Sequence, residues 1–317
     1  CSLSVIALEN SVIPKIEQME NIENLLPVKY SQNQFLEIAA TLDHKHEKIR
    51  IVSYNTLFNI FDQNLDEINR WPQRLPRIVE LLEEMQPDII GIQELYTDQS
   101  IDLLAHIGNT YSFYSTGYEN SELNGIFYRT DRFEVVDSYI WNMGDVDEEQ
   151  INQALTMLKL EDLTTGKCVA VFNAHLAFGK IDKRESQARF IAKCIEPIAA
   201  QMPVVLTGDL NTFPNRPDME KFPFYDGDYI HRILTQGALK DSKEMSVLGH
   251  LGPISTFSNL GEDSTPFKGT GTPGVFLDHI YVSKGINVII HAVQPGTVDG
   301  HYPSDHLPVL IDFIIEE

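Results

Sequence analysis

From residue 49 to the C-terminus the chain repeats one pattern: a short apolar run that ends on a polar residue. IRIVSYN, PDIIGIQEL, KCVAVFNAHL, PVVLTGDLN and FLDHIYVS have this form, and SDHLPVLIDFII carries its polar residues ahead of the run. Apolar runs of this length, bounded by turn residues, read as strands buried on both faces. The pattern predicts strands near 49–54, 88–93, 124–129, 133–140, 154–160, 167–174, 203–208, 277–283, 287–293 and 307–314. Helical periodicity predicts helices over 72–86, with Arg74 and Arg77 on one side, and over 182–200, where Asp182 starts the first turn. Strands mixed with helices make this an α/β chain. The segments 213–232 and 242–274 are rich in Pro, Gly and aromatic residues and exceed ordinary connections. They are expected to be substrate-specificity loops.

The polar residues that end the runs are Asn55, Glu94, His175, Asp209 with Asn211, and Asp278; Asp305 and His306 lie just before the last run. Each sits where a buried strand surfaces, which is where a rigid sheet supports chemistry on its loops. Strand parity puts Asp209 and Asn211 on one side, roughly 7 Å apart, with Leu210 turned into the core. The same parity turns Asp278 away from its neighbour His279, read as a non-catalytic strand residue. Pro303 and Ser304 place Asp305 and His306 on a tight loop. Four carboxylates, Glu94, Asp209, Asp278 and Asp305, converging on one pocket would repel one another. A divalent cation resolves that repulsion, and Mg²⁺ is the usual partner of hard carboxylate oxygens.

The ordered set NxH, GDLN and SDH, preceded by QE, resembles the endonuclease/exonuclease/phosphatase superfamily over roughly residues 49 to 315. RWPQRLPRIVELLEEMQPDIIGIQE is most similar to a bacterial branch of small, often exported members. The resemblance implies a four-layer α/β sandwich of two packed, mainly antiparallel sheets flanked by helices. It implies a metal-dependent phosphoesterase that hydrolyses a phosphodiester or phosphomonoester by in-line water attack. The cofactor implied is Mg²⁺, with Mn²⁺ as the substitute. The substrate is either nucleic acid or a phospholipid or inositol-phosphate headgroup, and the enzyme is expected to be a monomer.

Residue by residue, the resemblance assigns the metal to Glu94 and Asp305 with support from Asn55. It makes His306 the general acid/base, oriented by Asp278. Asp209 orients or deprotonates the attacking water, while Asn211 and His175 bind phosphate and stabilise the transition state. Which of Asp209 and His306 takes the proton stays open. Two departures stand out. Leu57 occupies the place of a second acid found in apurinic endonucleases. Gln153 and Met157 occupy the places of an Arg and a Trp in bacterial relatives, so a phosphate-clamping Arg is missing or supplied elsewhere.

Composition adds limits. The 317 residues carry a formal net charge of −22 and are 43% hydrophobic, enough for a sizeable core. The acidity argues against a strong non-specific nucleic-acid binder, which needs Lys and Arg for phosphates. No apolar run reaches the roughly 18 residues needed to span a bilayer. Residues 1–48 are polar and acidic and are expected to be a tether ahead of a domain over 49–317. The leading Cys1-Ser2 resembles the start of a mature bacterial lipoprotein, exported and held to a membrane through Cys1, an anchor that a flexible acidic tether would suit; an arbitrary starting point is the alternative. Cys168 and Cys194 fit no metal spacing and are expected to be buried free thiols, with one disulfide as the oxidised alternative. The competing function class is a catalytically inactive surface-binding lipoprotein on the same fold, and the filled acid and histidine positions argue against it.

Overall fold

The computed structural model describes residues 47–116, 122–143, 153–212, 225–253, 255–261, 275–294 and 297–316, with Pro214 and Glu220. Its strands form two sheets. The first has the order β10-β12-β13-β1-β2-β4-β3, and the second β5-β6-β7-β8-β11-β9. The strands are β1 Ile49–Asn55, β2 Ile89–Gln93, β3 Tyr111–Tyr114, β4 Gly125–Arg129, β5 Phe133–Asn142, β6 Ala154–Asp162 and β7 Cys168–His175. They continue as β8 Val204–Asp209, β9 Leu239–Asp241, β10 His250–Leu251, β11 Asp278–Ser283, β12 Ile286–Val293 and β13 Val309–Ile315. Most neighbours are antiparallel. The two central pairs, β1 with β2 and β7 with β8, are parallel. Parallel neighbours need a crossover. It is made by α1 (Trp71–Met85) in the first sheet and by α3 (Ile181–Ala199) in the second.

Side-chain alternation explains the layers. In β1, Ile49 and Ile51 point between the sheets, where they meet Leu158, Val171 and Val205 of the second sheet. Val52 and Tyr54 point the other way, onto Ile78, Leu81 and Met85 of α1 and Leu103 of α2 (Thr97–Ile107). On the far side, Phe172 and Leu206 pack against Ala188 and Ile191 of α3 and Ile230 of α4 (Tyr229–Thr235). The result is helix, sheet, sheet, helix, as the sequence implied. Both faces of the central strands are covered, which is why they read as unbroken apolar runs.

Several elements depart from expectation. Helix α2 and strands β3 and β9 were not foreseen. The expected loop segments are partly regular, containing α4, α5 (Ser242–Met245) and the two-residue β10. The remainder of both segments falls largely outside the described residues. So do residues 1–46, which include Cys1 and nearly all of the expected tether. Glu47 and Lys48 are fastened to the body: Glu47 pairs with Lys167 at 3.3 Å and Lys48 with Asp312 at 2.9 Å. Cys168 and Cys194 are free thiols, but half-buried rather than buried. No helix among the described residues is long and apolar enough to cross a membrane.

One buried ion pair ties β1, α1 and β13 together. Arg50 Nε and Nη2 bond the two oxygens of Asp312 at 2.6 and 2.8 Å, and Nη1 donates to the Met85 carbonyl at 2.7 Å. Burial alone would lift the Asp312 carboxyl, but Arg50 and Lys48 outweigh it and hold it below the usual range. Breaking a buried pair strands the surviving charge. Asp312→Ala is therefore expected to cost about 3–5 kcal/mol in a denaturant titration. Because the folded value lies below the unfolded one, the pair stabilises fully above about pH 4. That contribution is lost as the pH falls through the depressed value, and the acid limb should be shallower in the variant.

Candidate active site

The pocket is built where four strand ends meet. Asn55 closes β1 and pairs with Gln93 at the end of β2, which puts Glu94 beside it. In the second sheet His175 pairs with Asp209, and Asp209 pairs on its other side with Asp278. The ends of β1 and β2 fall together because those strands are parallel, as do the ends of β7 and β8, and Asp278 joins them because antiparallel β11 starts beside the end of β8. Three non-glycine residues at this edge have left-handed backbone: Leu57 (φ 59), Glu94 (φ 54) and Asn211 (φ 49). Each costs of order 1–3 kcal/mol and persists only where surroundings hold it.

The structure brings the expected residues together. Asn55 Nδ2 donates to Glu94 Oε1 at 2.9 Å and to Asp209 Oδ2 at 3.0 Å. Its oxygen accepts the Leu57 N–H at 3.0 Å, so its amide is fixed with nitrogen toward the acids. His306 Nδ1 lies 2.8 Å from Asp278 Oδ2. A carboxylate accepts, so Nδ1 carries the proton and Nε2 faces the pocket, 3.7 Å from Asp209 Oδ2. His175 Nε2 lies 3.5 Å from the same oxygen and 3.2 Å from Asn211 Nδ2. Asn211 also donates to the Leu176 carbonyl at 2.9 Å. Strand geometry does not carry Asn211 into the site, since β8 ends at Asp209. An Asx turn does, in which the Asn211 N–H donates to Asp209 Oδ1 at 3.0 Å. Leu210 is buried in the core as expected, and His279 turns away, its Nε2 on the Thr212 carbonyl.

Asp305 sits at the edge of this set. It accepts from Ser304 Oγ at 3.2 Å, and its charge acts on Glu94, Arg74 and His306. Glu94, His175 and Asp209 offer donor atoms within 4.8 Å of one another, as do Asp209, Asp278 and His306. Arg74 on α1 is fully buried and donates to the Leu57 carbonyl at 2.9 Å and the Pro303 carbonyl at 3.2 Å. It thereby locks the loop after β1 to the loop carrying Asp305. The position read as an absent Arg, Gln153, hydrogen-bonds Gln187.

Glu122 is the residue the sequence reading missed. It is buried, its Oε1 lies 2.8 Å from His175 Nδ1, and the same oxygen accepts the strained Glu94 N–H at 3.0 Å. It stands just before β4, and β4 runs antiparallel to β2, so the start of β4 lies beside the end of β2. Attention to C-terminal strand ends alone passes over it.

Electrostatics follow from crowding. Burial, with Asp305 and Glu122 adding to it, pushes Glu94 up to about 7 against the pull of His175 and His306. Burial opposes charge on His175, but Glu122 and Asp209 outweigh it and push the ring up to about 10. Burial likewise opposes charge on His306, and Asp278 and Asp209 hold it well above an ordinary imidazole. The donor set fits a hard divalent cation: it is rich in carboxylate oxygen, and burial with neighbouring acids pushes the Glu94 carboxyl up, a crowding that a cation would offset.

Comparison with known proteins gives relatives of the same fold. Mouse nocturnin is 22% identical over 338 aligned positions, covering 95% of this chain and 73% of the mouse protein. An endonuclease/exonuclease/phosphatase structure from Bacteroides vulgatus superposes with a TM-score of 0.72 at 22% identity, covering 85% of this chain and 99% of its own. A mannosyl-6-phosphatase from Bacteroides thetaiotaomicron superposes at 0.68 with 21% identity, covering 84% and 100%. The profile of the Endonuclease/Exonuclease/phosphatase family matches residues 52–306, a span that opens on β1 and closes on His306 itself, and the chain belongs to that family.

Proposed function

We propose that the chain is a divalent-metal-dependent phosphoesterase that cleaves a P–O bond by in-line attack of water, without a covalent enzyme intermediate. The observation that carries this reading is the facing of the Asp278-held His306 and Asp209 across 3.7 Å, with His175 on the other side of the same Asp209 oxygen. Asp209 accepts hydrogen bonds on both oxygens, from Asn55 and from the Asn211 N–H, so it is fixed as an acceptor that orients water. The proton the water gives up is lost to the Asp209–His306 pair. His175, pushed up to about 10, is an imidazolium at neutral pH and presents positive charge to a phosphate oxygen. Asn211 Nδ2, bonded to the Leu176 carbonyl and 3.2 Å from His175 Nε2, stands beside the same phosphate position. Glu94 and Asp305 would hold the cation, with Asn55 fixing the Glu94 carboxylate. A bound Mg²⁺ or Mn²⁺ supplies neutralisation of the charge that builds on phosphate oxygens.

A substrate panel of plasmid DNA, RNA, phosphoinositides, mannose 6-phosphate and bis-p-nitrophenyl phosphate, with Mg²⁺ and with EDTA, tests the reading. Turnover of at least one ester that EDTA abolishes is expected; no turnover of any would sink it. His306→Ala and Asp278→Asn should each lower kcat by on the order of 10²–10⁴. The double variant should be little worse than the worse single, since the pair acts as a unit. Clean additivity would contradict that arrangement.

Glu94 gives a test that needs no turnover. Its folded value is raised, so in EDTA its contribution to stability falls as the pH rises from about 4.3 through about 7. Mg²⁺ competes with that proton. The rise in Tm on adding Mg²⁺ should therefore grow between pH 5 and pH 8. Glu94→Gln should remove most of the growth, and a pH-independent Mg²⁺ effect would count against Glu94 as a ligand.

A further inference from the structure

Beside Glu94 lies a group of aromatic side chains that the chemistry above does not use. The Phe58 N–H donates to Glu94 Oε2 at 3.3 Å, so Phe58 adjoins the proposed cation ligand directly. Its ring packs on Tyr96 at 4.8 Å between centroids and on Phe61 at 6.3 Å, both tilted. Tyr96 follows Glu94 by two residues and packs on Phe58, so it belongs to the same corner of the fold as that carboxylate. Phe61 is 45% exposed and its neighbour Ile60 is 52% exposed. Single exposed apolar side chains need no explanation, but a contiguous group that starts on a catalytic carboxylate does.

The shelf is held in place. Asn59 Nδ2 donates to Asp98 Oδ2 at 2.6 Å, and the Asn59 N–H to Gln99 Oε1 at 3.3 Å, which pins the turn after β1 to the start of α2. A side chain presented on a fastened turn loses little entropy when a ligand covers it. Acidic groups adjoin it: Asp62 follows Phe61 in the chain and lies 3.9 Å from the buried Arg74, and Asp98 is bonded to Asn59. Such a rim repels a long polyanion and tolerates a ligand whose charge is confined to one phosphate inside the pocket.

We infer that the Phe58–Tyr96–Phe61 shelf binds an aromatic ring on the substrate, making the preferred substrate a single-phosphate ester of a ring-bearing group rather than a polynucleotide or an alkyl phosphate. This rests on the phosphoesterase reading for the placement of the phosphate. Ring faces stack on aromatic side chains with energies that correspond to about 5- to 150-fold in affinity. The ring is either a nucleobase or another aryl group, and the two share this chemistry.

Calorimetry with non-hydrolysable phosphonates, in Mg²⁺, tests the inference without turnover. Wild-type protein should bind phenylphosphonate about 5- to 150-fold more tightly than methylphosphonate, and Phe61→Ala should bring that ratio toward one. Phe61 is exposed, so its loss is not expected to unfold the chain. Equal affinities in the wild type, or an unchanged ratio in Phe61→Ala, would overturn the inference. The methylene phosphonate analogues of adenosine monophosphate and of ribose 5-phosphate separate the ring sources: a preference for the nucleotide analogue assigns a nucleobase, and its absence beside a kept phenyl preference assigns another aryl group. An oligonucleotide that outcompetes phenylphosphonate, or vesicle binding lost in Phe61→Ala with an unchanged ratio, would also overturn it. Absence of hydrolysis across the substrate panel counts against the phosphoesterase reading alone, since the phosphonate ratio is read from binding.

Discussion

The close contact of the two sheets at Gly91 is the constraint on which the site depends. A Cβ on Gly91 would lie 2.0 Å from Thr207 Oγ1, so β2 and β8 meet there with no room for a side chain. Asn173 fills the space alongside. It accepts from Gln93 Nε2 at 2.7 Å and Thr207 Oγ1 at 3.0 Å, and donates to the Ile92 and Gly125 carbonyls. A buried amide satisfied on both ends fixes the register of one sheet on the other. One or two residues further on, the strands end in Asn55, Glu94, His175 and Asp209. Their carboxylates and rings meet within hydrogen-bonding distance because the sheets beneath them already touch.

That meeting is electrostatically unfavourable by itself. Glu94, Glu122, Asp209, Asp278 and Asp305 share a pocket with two imidazoles and one buried guanidinium that is bonded mainly to carbonyls. The fold bears this cost, together with the strained backbone of Leu57, Glu94 and Asn211, through the three apolar layers that sandwich the sheets. Repulsion of this kind would be relieved by a bound cation, so the same arrangement that weakens the isolated pocket would favour that ion.

Much of this was legible in the sequence, for identifiable reasons. The central strands are covered on both faces, so Ile49 to Tyr54 and Val204 to Leu206 announce themselves as apolar runs, and their polar ends mark the site. Helix α1 is long and periodic. What escaped notice depends on pairing. Strand β3 is only partly buried and short, and β9 and β10 exist only against β11 and β12. Helix α2 begins directly at the site, capped by Tyr96 rather than by a usual Ser, Thr or Asp. Glu122 belongs to the site through the antiparallel partnership of β4 with β2, which no local pattern encodes. Asn211 reaches the pocket through a turn and not through strand parity.

The central claim is a single displacement at phosphorus by water oriented on Asp209 and His306. It is tested most directly by the stereochemistry of hydrolysis of a chiral phosphorothioate ester in ¹⁸O-labelled water with Mg²⁺. The account predicts inversion at phosphorus, with one solvent oxygen on the phosphorothioate product and none on the alcohol. Retention would show two displacements through a covalent enzyme intermediate and would contradict it.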